Sequence, residues 1–76
     1  MMGAMTAPPL SIRQRLANNV RRLRQERDWS QEDLAAVALI HHNQISRLER
    51  ALGSVGIDIV EKLALAFDVS AGELLD

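Results

Sequence analysis

The sequence predicts a single all-α domain of five helices, and three observations carry that prediction. From Ser11 onward, apolar residues recur at intervals of three and four, the period of a helix with one buried face, and no stretch alternates at two like a strand. Ser11 with Gln14, Ser30 with Asp33 and Ser70 with Glu73 each place an acceptor three residues after a hydroxyl, the pairing that satisfies orphan amides in a helix's first turn. Both prolines, Pro8 and Pro9, come before the first of these pairs, and Gly53 and Gly56 share one connection, so the helices hold few breakers. A chain of 76 residues hides only roughly 60% of its unfolded surface, which supports one core and no more.

The first helix is expected from about Ile12 to Arg27, with Ile12, Leu16, Val20 and Leu23 inward. A short second helix follows from Gln31 to about Val37, with Leu34 and Ala35 inward and Trp29 packing beside them. The third spans about His42 to Arg50 and buries Ile45 and Leu48, spaced by three. The fourth begins after Gly56 and turns Ile57, Val60, Leu63, Ala64 and Phe67 to the core. A brief fifth begins after Ser70, with Leu74 docking back. Residues 1–10 have no amphipathic period and read as a flexible arm or a remnant foreign to the domain, which occupies 11–76.

Composition narrows the function. Without cysteine, neither disulfides nor thiolate metal sites can staple the fold, which fits a reducing cytoplasm. No apolar run approaches the roughly 20 residues that cross a bilayer, and Met1 to Pro9 lacks the basic start of a secretion signal, so no membrane partner is expected. The formal charge of −1 divides unevenly. Residues 1–50 hold eight arginines against five acids, and residues 51–76 hold Lys62 against five, giving a basic half and an acidic half. A dipolar molecule of this kind can turn its basic end to nucleic acid, although for any single charge an ordinary solvated helix face is the better account.

Catalysis is not expected. There is no Cys or Tyr, and the two histidines, His41 and His42, are adjacent, so on a helix they point about 100° apart and cannot form the i, i+4 pair that grips zinc. Gly53 and Gly56 lack the lysine and strand of a phosphate loop. No metal, cofactor or small-molecule ligand is expected.

A short helix, a tight turn and a second short helix on a compact body form the arrangement that presents a helix to the major groove of double-stranded DNA. From Gln31 to Arg50 the chain reads QEDLAAVALIHHNQISRLER, after LRQERDWS, and near its end it reads FDVSAGELL. These segments resemble the lambda-repressor-like, Cro-type helix-turn-helix family, also called XRE, over about Leu16 to Leu75. The resemblance implies that helices two and three form the helix-turn-helix, with Ala35, Ile45 and Leu48 where they cross. It matches Gln31 to a phosphate-contacting position and His42, Asn43 and Arg47 to base-reading positions, with Gln44 beside them. Asn and Gln fork to adenine and Arg to guanine, which gives such a face its chemistry; the alternative is a merely solvated face. His41, Ser46 and Arg50 are weaker phosphate candidates. Arg24 and Glu49 align with an arginine and a glutamate that join the first helix to the recognition helix, so a partly buried ion pair is expected there.

Three departures from the family pattern carry consequences. Leu39 stands where the turn usually has glycine, at a cost of about 1–2 kcal/mol in a left-handed conformation. His41 replaces the usual Ser or Thr cap. The neutral stretch Ala51 to Val55 replaces a loop that often carries Lys or Arg, which lowers salt-dependent affinity and makes binding by a monomer weak. Leu52, Val55, Ile59, Leu65 and Leu75 exceed what a monomer core needs and are candidates for a homodimer interface, which would set two recognition helices about 34 Å apart; the alternative is scattered surface apolars. The expected function is a sequence-specific transcriptional regulator, a repressor at an inverted-repeat operator. The same residues also allow a free-standing repressor, an antitoxin or the controller of a restriction-modification system. A protein-interaction adapter that keeps the fold and binds another polypeptide is the rival class.

Overall fold

The computed structural model describes residues 10–76. The expectation for residues 1–10 as an arm falls outside them, apart from an exposed Leu10. Five helices follow in order: α1 (Ile12–Glu26), α2 (Gln31–Ala38), α3 (His42–Glu49), α4 (Ile57–Phe67) and α5 (Ala71–Leu75). Among the described residues there is no strand.

Local chemistry starts the helices. Gln14 N–H donates to Ser11 Oγ (3.1 Å) and Ser11 N–H to Gln14 Oε1 (3.0 Å), and the same reciprocal pair recurs at Ser30 with Asp33 and at Ser70 with Glu73. Every helix then supplies at least one side chain to the centre: Val20 from α1, Leu34 from α2, Ile45 from α3, Leu63 and Phe67 from α4, and Leu74 from α5, all essentially without solvent contact. Helix α1 lies along α3 and α5, while α2 packs on α3 and α4. The Asn19 side-chain amide donates to the Leu74 carbonyl (2.9 Å) and ties the last helix to the first.

Ile12 and Ile57, expected inward, are instead 54% and 85% exposed. Each is the first residue of its helix. Periodicity fixes the direction a side chain takes, not whether a neighbour covers it. They border one open groove with Leu16, Val55, Val60 and Leu75.

The four longer helices end alike, without glycine. Asp28, Leu39, Ala51 and Asp68 take left-handed backbone with φ of 55°, 59°, 57° and 58°. In each case the next residue's N–H reaches back to the carbonyl five positions earlier: Trp29 to Arg24, Ile40 to Ala35, Leu52 to Arg47 and Val69 to Ala64, all at 3.0 Å. That next residue is apolar every time, and Trp29, Ile40 and Val69 pack on the core, so burial just beyond the turn offsets the cost of the turn. Leu52 alone of the four stays exposed.

Leu39 is 79% exposed and contributes little burial of its own. Leu39→Gly is therefore expected to relieve the left-handed strain and raise stability by about 0.5–1 kcal/mol, after allowing for glycine's looser unfolded chain. Differential scanning calorimetry would register a midpoint about 2–8 °C higher. A midpoint that stays put or falls would mean the turn is not strained.

Candidate nucleic-acid interface

The turn between α2 and α3 is built from Leu39, Ile40 and His41. Ile40 is 6% exposed and anchors the turn in the core. His41, a side chain poorly suited to capping, nevertheless caps α3: its Nδ1 accepts from the Asn43 N–H (3.1 Å), and its own N–H donates to Gln44 Oε1 (3.3 Å). An imidazole nitrogen replaces the usual hydroxyl, and α3 starts at His42.

At 100° per residue, the buried Ile45, Leu48 and Glu49 define one side of α3. The opposite side is centred on Asn43, Arg47 and Arg50, flanked by His42 and Ser46 on one edge and Gln44 on the other. All are exposed except Ser46, which is half-buried. Among the described residues, the side chains of His42, Asn43 and Arg47 take part in no intramolecular hydrogen bond, which leaves their donors and acceptors open to an external partner. Gln44 spends its carbonyl on the cap, and Arg50 Nε donates to the Ser46 carbonyl (3.4 Å).

A buried ion pair ties this helix to α1. Arg24 Nε donates to Glu49 Oε2 (2.7 Å) and Nη2 to Oε1 (2.9 Å), a bidentate fork, while Nη1 donates to the Trp29 carbonyl (2.8 Å). Glu49 is 3% exposed and Arg24 14%. The hydrogen bond to Glu49 holds the Arg24 guanidinium above its ordinary pKa, and the carboxylate's charge adds to that, against the opposing effect of burial. Gln31 Nε2 also donates to Glu49 Oε1 (3.2 Å), and the Arg21 guanidinium donates to the Glu49 carbonyl, with Nε 3.9 Å from Oε1. One carboxylate thus joins α1, α2 and α3. Gln31, matched to a phosphate position, turns its amide inward; one hydrogen goes to Glu49 and the second remains for an external acceptor.

Two parts of this assembly escaped sequence reasoning. Arg21 lies three residues before Arg24 on the same face of α1, a spacing that was the available signal. Arg27 donates to the Leu23 carbonyl (3.0 Å) and the Phe67 carbonyl (2.7 Å), closing the ends of α1 and α4 with a cation, and it sits over the rings of Phe67 and Trp29. No local pattern announces a contact across 40 residues.

The five apolar candidates for a dimer interface occupy more than one surface. Leu52, Val55 and Ile59 border a cleft beside Gln44, Arg47 and Leu48, whereas Leu75 borders the groove of Ile12 and Ile57, which Val55 also reaches. Leu65, 76% exposed, borders neither and stands on the outer side of α4 with Asp58 and Glu61. Val55, Ile59 and Leu75 also pack in part on this chain's own core. Among the described residues, no three His, Cys, Asp or Glu gather where a metal ion could be held, and no helix is long and apolar enough to cross a membrane.

Two short helices crossing at a tight turn, the second with an outward polar face and tied to α1 by a buried ion pair, define a helix-turn-helix domain. The chain belongs to the helix-turn-helix family of the lambda-repressor-like, XRE type, whose family model matches residues 20–74. A hypothetical transcription factor of Neisseria meningitidis serogroup B is 36% identical over 64 residues, covering 84% of this chain but 60% of that protein's length. The control protein C.BamHI of Bacillus amyloliquefaciens is 36% identical over 67 residues, 87% of this chain and 83% of its own. Among solved structures, the hypothetical transcription factor NHTF from Neisseria matches with a TM-score of 0.83 at 32% identity, over 95% of this chain and 88% of that one. The restriction-modification controller protein C.AhdI from Aeromonas hydrophila matches with a TM-score of 0.77 at 29% identity, over 82% of this chain and 94% of that one.

Proposed function

We propose that this chain binds double-stranded DNA sequence-specifically as a transcriptional regulator, laying α3 in the major groove. The observation that carries the reading is the outward face of Asn43 and Arg47 on a helix whose orientation is held by the buried Arg24–Glu49 fork. Asn43 suits the N6 and N7 edge of adenine and Arg47 the O6 and N7 edge of guanine, with His42 and Gln44 extending the contact. Gln31, His41, Ser46 and Arg50 supply phosphate contacts that fix register and carry no sequence information.

Binding as a homodimer on an inverted repeat, through Leu52, Val55, Ile59, Leu65 or Leu75, doubles these contacts and compensates for the neutral loop. Among the possible genetic roles, controller of a restriction-modification system is favoured by the names of the relatives, and we assign the chain a repressor's action at its own operator. Sedimentation equilibrium that finds only 8.4 kDa species at tens of micromolar would remove the dimer.

Selection from a randomised duplex pool at near-physiological salt tests the function. An enriched inverted repeat is expected, with Arg47→Ala weakening binding to it by about 5- to 150-fold and relaxing the preference for guanine. Weak, salt-sensitive binding with no enriched sequence would favour the adapter, for which exposed Ile57 and Leu65 are available.

A further inference from the structure

The segment after α3 folds back over the base of the recognition helix. With Ala51 left-handed and the Leu52 N–H on the Arg47 carbonyl, the chain doubles back beside Arg47, the same residue whose guanidinium heads the outward face. Gly53 follows, again left-handed at φ 72°. A Cβ built on Gly53 would stand 3.0 Å from Arg47 Nη2, 3.9 Å from its Cζ and 4.0 Å from its Nε. The guanidinium therefore lies against bare backbone at this one position, beside the cleft bordered by Gln44, Leu48 and Leu52. The left-handed angle strains any side chain placed here, as it does at Leu39, although Asp28, Leu39, Ala51 and Asp68 show that turns of this chain tolerate that strain. Space adds to this, since a methyl group at 3.0 Å requires the guanidinium to give by a few tenths of an ångström.

We infer that Gly53 is a positioning residue for base recognition: by leaving its Cβ site empty it lets the Arg47 guanidinium rest along the loop, and so sets the height and angle from which that fork meets a base pair. The inference deepens the reading of Arg47 as a base contact and rests on it. Gly53 itself touches no base. A side chain at 53 would displace the fork, and a bidentate hydrogen bond tolerates little misalignment.

Two measurements test the inference and separate it from the reading beneath it. In the free protein, the Nε–H resonance of Arg47 in a nitrogen-15 spectrum is expected to move in Gly53→Ala and to stay in place in Gly56→Ala, where an added Cβ meets nothing within 4 Å. On the selected duplex, below the melting temperature of every variant, Gly53→Ala is expected to weaken binding about fivefold and to reduce the preference for the contacted guanine. In an Arg47→Ala background, the same substitution is expected to change binding less than about twofold, because the two residues act as one unit. Equal losses in both backgrounds, or an unmoved Arg47 resonance, would overturn the role assigned to Gly53. An Arg47→Ala variant that binds the duplex as wild type does would overturn the base contact itself, and Gly53 with it.

Discussion

Replacing Arg24 with alanine is expected to lower the thermal midpoint by about 12–40 °C, on the ground that stripping one partner from a buried pair costs about 3–5 kcal/mol and each kcal/mol moves a domain of this size by about 4–8 °C. Against a total stability of about 4–11 kcal/mol, that loss removes from about a quarter of the total to all of it. The cost is so large because Glu49, 3% exposed, would lose both arms of the fork, with only Gln31 and the edge of Arg21 in reach. Arg24→Lys keeps the charge but loses the planar fork and the bond to the Trp29 carbonyl, so an intermediate midpoint is expected. Replacing the pair together, as Arg24→Met with Glu49→Leu, strands no charge and should recover most of the stability. If the bridge also orients α3, that double variant will fold yet bind the selected duplex less tightly. Unchanged melting of Arg24→Ala would show that the bridge contributes nothing.

The pH behaviour on the arginine side has a definite sign. Because the folded-state pKa of Arg24 is raised, its contribution is fully present below the unfolded pKa and is lost only as pH rises through the folded value, beyond the ordinary arginine range. From Arg24, then, no weakening of the bridge is expected anywhere in the neutral or mildly alkaline range.

Phe67→Ala is expected to cost about 3–5 kcal/mol, read as a fall in the urea midpoint at constant slope. Phe67 is 1% exposed, and its ring stacks on Trp29 at 5.9 Å between centroids, with the Arg27 guanidinium 5.1 Å above it. Removing the ring opens a cavity where the end of α4 meets the junction of α1 and α2, and it takes away the surface on which Trp29 and Arg27 lie. Phe67→Leu, which refills much of that volume, should cost about 1.5 kcal/mol and leave base preference unchanged, because the face of α3 is elsewhere. A loss below about 1 kcal/mol for the alanine variant would mean that the site collapses and repacks.

How far each feature was legible followed from the span of the interaction behind it. The caps at Ser11, Ser30 and Ser70 join residues three apart, and the sequence alone placed three helix starts from them. The inward sets of α1 and α4 followed from periodicity except at Ile12 and Ile57, because a repeat states a direction and not whether a neighbour lies opposite. The bridge between Arg24 and Glu49 spans 25 residues, and its two ends were matched through a family resemblance, with no local pattern joining them. The same holds for the outward face of α3. Its residue types were open to inspection, but their role was inferred by likeness.

By itself, then, the sequence determined the helical period, three of the helix starts, the apolar stripes and the composition of the recognition face, all of which depend on residues within one or two turns of each other. Tertiary structure alone decided that all four longer helices end in a left-handed residue other than glycine, how one buried carboxylate joins three helices, how Arg27 reaches Phe67 and how Gly53 comes to lie beside Arg47. The reason is physical. A left-handed Leu39 or Ala51, or a buried Glu49, is unfavourable in isolation and persists only because the assembled core returns more free energy than the local conformation costs.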